Sequence, residues 1–204
     1  MIKIVDYGLG NVQAFLNVYK RWSIPAVAVN NATDLADATR VILPGVGSFD
    51  HAMNLLQLSG MREVLDELIL SDNVPVLGIC VGMQILGVSS EEGQMNGLGW
   101  ISGSVRKFKA TDTSSLLRLP HMGWNDVEPI GSSKLFDGLE KDARFYFLHS
   151  YHFDCVHSDI VLAETHYGSR FACAVQSKNI FGVQFHPEKS HQYGARLLKN
   201  FAEI

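Results

Sequence analysis

Residues 76–84 read Val-Leu-Gly-Ile-Cys-Val-Gly-Met-Gln, an apolar run that passes straight into Gly-x-Cys-x-Gly. Such a run suits a buried strand, and the two glycines allow that strand to turn abruptly into a helix. Without a Cβ at 78 or 82, backbone can approach backbone, and the side chain between them stands exposed at the turn. This is the nucleophile-elbow pattern with Cys80 where serine is often found. A strand that feeds a helix in this way belongs to a βαβ unit, which needs a parallel sheet covered by helices.

The first half of the chain repeats that alternation. Residues 2–6 form a short β-branched run, followed by Gly-Leu-Gly and an Asn at 11 suited to cap a helix. Val12, Phe15, Leu16 and Tyr19 recur with helical spacing over 12–22. Strands are predicted at 25–29, 41–43 and 74–79, with Pro44-Gly45-Val46-Gly47 closing the second of these. A helical stretch over 49–70 is broken at Ser59-Gly60. The second half is richer in β-type runs, at 98–108, 122–127, 144–149, 160–166 and 171–176. Ser177-Lys178-Asn179 is a hairpin turn into 180–185, and a last helix covers 190–203 with Ser190 as its cap. No repeat or linker interrupts the pattern. The expectation is one α/β domain over residues 1–204, its sheet parallel at first and gaining antiparallel strands later. In such sheets ligands collect at the carboxyl ends of the parallel strands. Three turns should meet there: residues 6–11, residues 44–47 and the Cys80 elbow.

Composition excludes several classes. A net charge of −4 leaves no basic footprint for nucleic acid. No apolar stretch reaches membrane-spanning length, and the N-terminus lacks the flanks of a signal peptide. The three cysteines, at 80, 155 and 173, lack the paired spacing of a zinc site, and an odd number leaves one unpaired. A reactive thiol fits a reducing compartment, so a cytoplasmic location is expected. Cys155 and Cys173 read as structural.

Phe-His-Pro-Glu at 185–188 supplies the chemistry that Cys80 lacks. In extended chain, residues two apart point the same way, so His186 could face the thiol with Glu188 behind the ring. Cys, His and carboxylate together generate a thiolate at neutral pH. Taken singly, each residue has a plainer reading: a buried cysteine, a satisfied histidine, a solvated glutamate. His149 and His152, ending another apolar strand, are alternatives to His186. Gly8 and Gly10 lack the third glycine of a dinucleotide loop and read as a turn. Trp124, between Gly123 and Asn125, suits either core or an exposed loop.

Gly-Ile-Cys-Val-Gly-Met-Gln, Pro-Gly-Val-Gly and Phe-His-Pro-Glu, in this order, resemble the class I, triad-type glutamine amidotransferases. Asp6-Tyr7-Gly8-x-Gly10-Asn11, residues 120–125 (Pro-His-Met-Gly-Trp-Asn), residues 149–152 (His-Ser-Tyr-His) and residues 186–190 (His-Pro-Glu-Lys-Ser) are closer still to the glutaminase subunits of imidazole glycerol phosphate synthases. The resemblance runs end to end. It implies a flavodoxin-like α/β domain, with a mixed, mostly parallel central sheet flanked by helices, that releases ammonia from glutamine and passes it to a synthase barrel in histidine biosynthesis. By this resemblance Cys80 forms a thioester, His186 protonates the departing ammonia and then activates water, and Glu188 orients His186. The backbone of Val81 and of Gly45-Val46 would form the oxyanion hole, and the Pro-Gly-Val-Gly segment could turn its peptide away until the partner binds. Gly47, Gln84, Glu92, Ser150 and Tyr151 would hold glutamine; Asn11, Met122, Trp124, Tyr146 and Lys189 would face the partner. No cofactor or metal is implied, nor any nucleic acid or membrane. Three other readings stay open. One is a similar glutaminase that feeds a sugar amidotransferase of surface-polysaccharide synthesis. Another is a non-catalytic partner-binding module. The third is a related cysteine hydrolase using His149 or His152.

Overall fold

The computed structural model describes residues 1–108 and 117–204. The first half alternates as its periodicity predicts, with one unexpected short helix, α2: β1 (Ile2–Val5), α1 (Val12–Arg21), β2 (Ala26–Val29), α2 (Ala32–Leu35), β3 (Arg40–Gly45), α3 (Phe49–Leu58), α4 (Arg62–Asp66), β4 (Val76–Cys80) and α5 (Val81–Gln84). The Asn11 side chain accepts the Ala14 N–H at 3.1 Å and so starts α1. Phe15 and Tyr19 turn the buried face of that helix to the sheet. The break between α3 and α4 falls at Ser59-Gly60, where Gly60 takes φ +70°. A π-helical turn, Glu67–Ser71, ends the second piece.

The second half contributes β5 (Ser89–Ser90), β6 (Gly103–Lys107), β7 (His121–Asp126), β8 (Glu128–Pro129), β9 (Arg144–His149), β10 (Tyr151–Cys155), β11 (Val161–Tyr167), β12 (Ser169–Ser177), β13 (Ile180–Val183) and α6 (His191–Glu203). Strands β2-β1-β3-β4-β13 lie side by side and parallel. β12, β10 and β6 continue the sheet antiparallel, and β11 joins β12 on a side branch. β4 and β13, at the centre, are buried along their whole length, as strands covered on both faces must be. β7 and β9 form a separate antiparallel ribbon pairing His121 with His149 and Trp124 with Tyr146.

Two local expectations change, and one strand is added after β9. Only residues 103–107 of the 98–108 run are strand; the preceding segment instead donates from Leu98 to Ile85 O and from Ile101 to Leu86 O, bracing the end of α5. β9 keeps its expected bounds, but an unexpected strand follows it. The chain bends at Ser150 and resumes as β10, so one continuous stretch serves the ribbon and then the main sheet. Ser190 stands at the N-cap of α6 without capping it. Its hydroxyl donates to His186 O at 2.6 Å and accepts the Tyr146 N–H at 3.0 Å. No helix among the described residues is long and apolar enough to cross a membrane.

Candidate active site

The elbow is made by glycines packed against one another. A Cβ on Gly82 would lie 1.9 Å from Leu43 O, one on Gly45 2.3 Å from Gly82 N, and one on Gly78 2.6 Å from Gly82 O. No side chain fits between these backbones. β3 and β4 are thereby drawn against the start of α5, and Cys80 is left at φ +56°, ψ −113°, a conformation an L-residue adopts only under constraint. Gly10 also packs on Pro44, though less tightly, since its Cβ would lie 2.9 Å from that ring. The three glycine-bearing turns therefore do converge, and Gly8 and Gly10, both at positive φ, form a turn.

His186 follows β13 and opens the turn Pro187–Lys189. Its N–H donates to Tyr146 O at 2.8 Å, and its own carbonyl takes the Ser190 hydroxyl. Its Nδ1 meets Glu188 Oε1 at 2.8 Å, with both side chains buried. That leaves Nε2 for Cys80. Burial alone would lower the proton affinity of His186. The hydrogen bond to Cys80, that to Glu188, and the charges of both outweigh burial and raise its pKa to about 10. The arrangement sets the Cys80 sulfur beside an imidazolium, a candidate nucleophile paired with a proton donor.

Cys80 and His186 line a cavity of about 280 Å³ together with Val46, Gly47, Val81, Gln84, Glu92, Ser150 and Tyr151. All five residues expected to hold glutamine border it. Gly45 does not; it ends β3, paired in register with Cys80. Gly47 sits at φ +86° with open space around it, so the segment it ends is backbone-permissive. One oxygen of Glu92 accepts the Phe49 N–H at 2.8 Å, the first amide of α3, in place of a capping bond that Ser48 does not make. The helix end thus fixes this carboxylate at the cavity wall, suited to a cationic group.

Gln184 escapes the sequence reading. It is wholly buried. Its Nε2 lies 3.9 Å from Cys80 Sγ, and its Oε1 accepts Gln84 Nε2 at 3.0 Å. Two signals pointed to it: it is the polar residue within the apolar run 180–185, and period two places it on the side of His186. Leu148 and Pro120 also line the cavity, and Leu148 O lies 3.8 Å from Cys80 Sγ.

His149 lines the cavity but has no nitrogen free for the thiol. Nδ1 is 2.7 Å from Tyr151 O and Nε2 is 2.9 Å from His121 Nδ1. His152 lies outside the lining and packs its ring on Phe108 at 4.8 Å. Of the three histidines, only His186 is free to pair with Cys80. The other cysteines are poor nucleophiles: burial pushes Cys155 up to about 11 and Cys173 well above the usual thiol range. Asn11 and Lys189 are exposed, and Tyr146 is half-buried. Met122 (65 % exposed) and Trp124 (39 %) lie on the outer face of the β7–β9 ribbon, which resolves Trp124 as a surface residue. Trp124 stacks flat on His191 at 5.3 Å, and Lys189 lies 5.9 Å over the Tyr146 ring. No cluster of potential metal ligands occurs among the described residues.

The chain is similar to known proteins over its whole length. The family model described as glutamine amidotransferase class-I matches residues 3–204. The chain is 61% identical to "Imidazole glycerol phosphate synthase subunit HisH" of Bdellovibrio bacteriovorus over 204 residues, covering all of both chains. A protein of the same name from Leptospira interrogans is 52% identical, again over the full length of both. Among solved structures, a crystal structure of a glutamine amidotransferase superposes with a TM-score of 0.76 at 19% identity, over 100% of this chain and 99% of the other, a likeness of fold. With a thiol elbow and a histidine–carboxylate pair set in that fold, the chain belongs to the class-I glutamine amidotransferase family.

Proposed function

We propose that this chain is the glutaminase subunit of an imidazole glycerol phosphate synthase, acting as one domain in the cytoplasm with a cyclase barrel as partner. The observation that carries the reading is the Cys80–His186–Glu188 arrangement at the cavity, in a chain that matches subunits of that name over their full length.

In this reading glutamine enters with its α-amino group toward Glu92 and its side-chain amide over Cys80. The thiolate attacks the amide carbon. The oxyanion that forms is met by the N–H of Val81 and by an N–H of the Gly45-Val46 segment, where preorganised donors lower the barrier most. His186 gives its proton to the amide nitrogen, the C–N bond breaks, and ammonia leaves a cysteinyl thioester. The neutral imidazole then takes a proton from water, the hydroxide attacks the thioester, and glutamate departs with the thiolate restored. Glu188 keeps Nε2 turned to the sulfur through both steps. Gly47, Gln84, Ser150 and Tyr151 complete the glutamine pocket. Asn11, Met122, Trp124, Tyr146 and Lys189 form the docking face; three of them, Met122, Trp124 and Tyr146, belong to the ribbon whose carbonyls touch Cys80 and His186. Ammonia passes to the barrel there.

The test is glutamine hydrolysis by the purified chain, alone and mixed with a histidine-pathway cyclase barrel and its ribonucleotide ligand. Stimulation of at least tenfold by the barrel supports the full reading. Hydrolysis without stimulation moves the subunit to another synthase, the sugar amidotransferase first. No hydrolysis in either setting defeats the glutaminase reading.

A further inference from the structure

Behind the cavity lies a line of hydrogen bonds with one consistent direction. Tyr151 O can only accept, so His149 Nδ1, 2.7 Å away, carries a proton. In a neutral ring His149 Nε2 must then accept, and the donor at 2.9 Å is His121 Nδ1–H. His121 Nε2 in turn accepts from Asn125 Nδ2 at 3.3 Å, an amide whose orientation is fixed twice: Nδ2 donates to His166 O at 2.9 Å, and Oδ1 accepts the Asp126 N–H at 2.9 Å. Both imidazoles are therefore neutral and both carry the proton on Nδ1, the less common tautomer of a free histidine. A proton added to either ring leaves two N–H groups facing each other or a donor facing Asn125. The surroundings oppose such a proton. His121 lies between Tyr167 (4.0 Å) and Phe147 (4.7 Å), and His149 packs on Phe108 and Phe171. The titratable neighbours are His152 on β10, Tyr167 on β11 and His186 beyond β13. Burial, against the raising effect of the Tyr151 carbonyl and with a smaller push from the neighbouring histidines, takes His149 down to about 3; burial pushes His121 down to about 4.

The receiving carbonyl belongs to the cavity wall. Tyr151 O also accepts Gln84 Nε2 at 3.1 Å, and Gln84 Nε2 reaches Gln184 Oε1, whose amide faces Cys80. His149 thereby fixes the bend at Ser150 where β9 becomes β10. The geometry points to His149, backed by His121, as a positioning residue: it holds the Ser150–Tyr151 wall and the Gln84 amide in the orientation that binds glutamine, without touching the reacting atoms. This inference rests on the glutaminase reading of the cavity.

The two are separable by experiment. Nitrogen-15 NMR of histidine-labelled protein at pH 7 requires no substrate. The expected spectrum has His121 and His149 both neutral and protonated on Nδ1; an imidazolium or an Nε2–H tautomer at either overturns the chain. In the complex with the barrel, His149→Leu is expected to raise KM for glutamine about tenfold and to lower kcat less than threefold. His149→Asn, which keeps a donor near Nδ1, recovers KM to within threefold. A loss in kcat at unchanged KM, or an Asn variant as impaired as Leu, overturns the assignment. If His149→Leu does not fold, His121→Phe serves, since it preserves the stacking on Tyr167 and Phe147 while removing the donor to His149, and Asn125 Nδ2, losing its 3.3 Å acceptor, keeps His166 O; an unchanged KM there overturns the assignment equally. A wild-type complex that fails to hydrolyse glutamine defeats the functional reading, and the role assigned to His149 falls with it, while the tautomers still report on the hydrogen bonds alone.

Discussion

Cys80 and His186 interact through single atoms, so their replacement is a clean probe of the proposed chemistry. Cys80→Ala and His186→Ala should each lower glutamine hydrolysis at least about a thousandfold, as loss of a nucleophile or its base does in related triads. His152→Ala, outside the cavity lining, should stay within about threefold; equal losses at 152 and 186 in steady-state assays would reverse the assignment. A glutamine-like electrophile should label Cys80 alone by peptide mass mapping, with glutamine protecting it. Burial that raises Cys155 and Cys173 leaves both largely un-ionised at neutral pH. These residues were readable in the chain because their chemistry is local. Two glycines mark the elbow, and a period of two joins His186 to Glu188. Gln184 was harder, for its partners Gln84 and Cys80 lie about a hundred positions away and only folding joins them.

Among the elements, those with strong periodicity emerged close to their expected bounds: α1, β1 to β4 and α6. What the pattern missed were pieces defined by their neighbours. β8 is two residues long and exists through its pairing with β11. β10 shares one β-rich stretch with β9, and periodicity contains nothing to say that the chain changes sheets at Ser150. Likewise Ser190 has the composition of a cap, yet the competing carbonyl of His186 takes its hydroxyl. α6 is secured by a polar contact as well as by its apolar face. Asn200, buried, donates to Leu135 O at 3.0 Å and to Asp137 O at 2.9 Å. Asn200→Leu would strip Leu135 O of its donor and leave Asp137 O only the Arg196 guanidinium, and should cost about 1–3 kcal/mol in denaturant unfolding. A loss under about 0.5 kcal/mol would mean that water replaces the amide.

For the whole molecule, the histidines set opposite limits on stability. His121 and His149, pushed down to about 4 and about 3, are neutral in the fold, whereas an unfolded imidazole titrates near about 6.5. Their contribution is complete above pH 6.5 and is lost as pH falls through 4 and then 3. His186, raised to about 10, contributes fully below pH 6.5 and loses that as pH rises through 10. The thermal midpoint should therefore fall on either side of neutrality, and His121→Phe should flatten the acid side. A midpoint independent of pH between 4 and 7 would contradict the neutral pair. At the proposed docking face, Trp124→Ala should weaken a complex with the proposed barrel partner by about 2 kcal/mol, roughly thirtyfold in Kd by titration calorimetry. The interlocked glycines have a bearing on how such a chain can drift. In a saturation library sorted only for folded protein, the columns for positions 45, 78 and 82 should empty of everything but glycine, while 80, 186 and 188 stay populated. Sorted for turnover, the second set should empty too. The places this sequence must not change for shape and those it must not change for chemistry are then adjacent in space, yet read out by different selections.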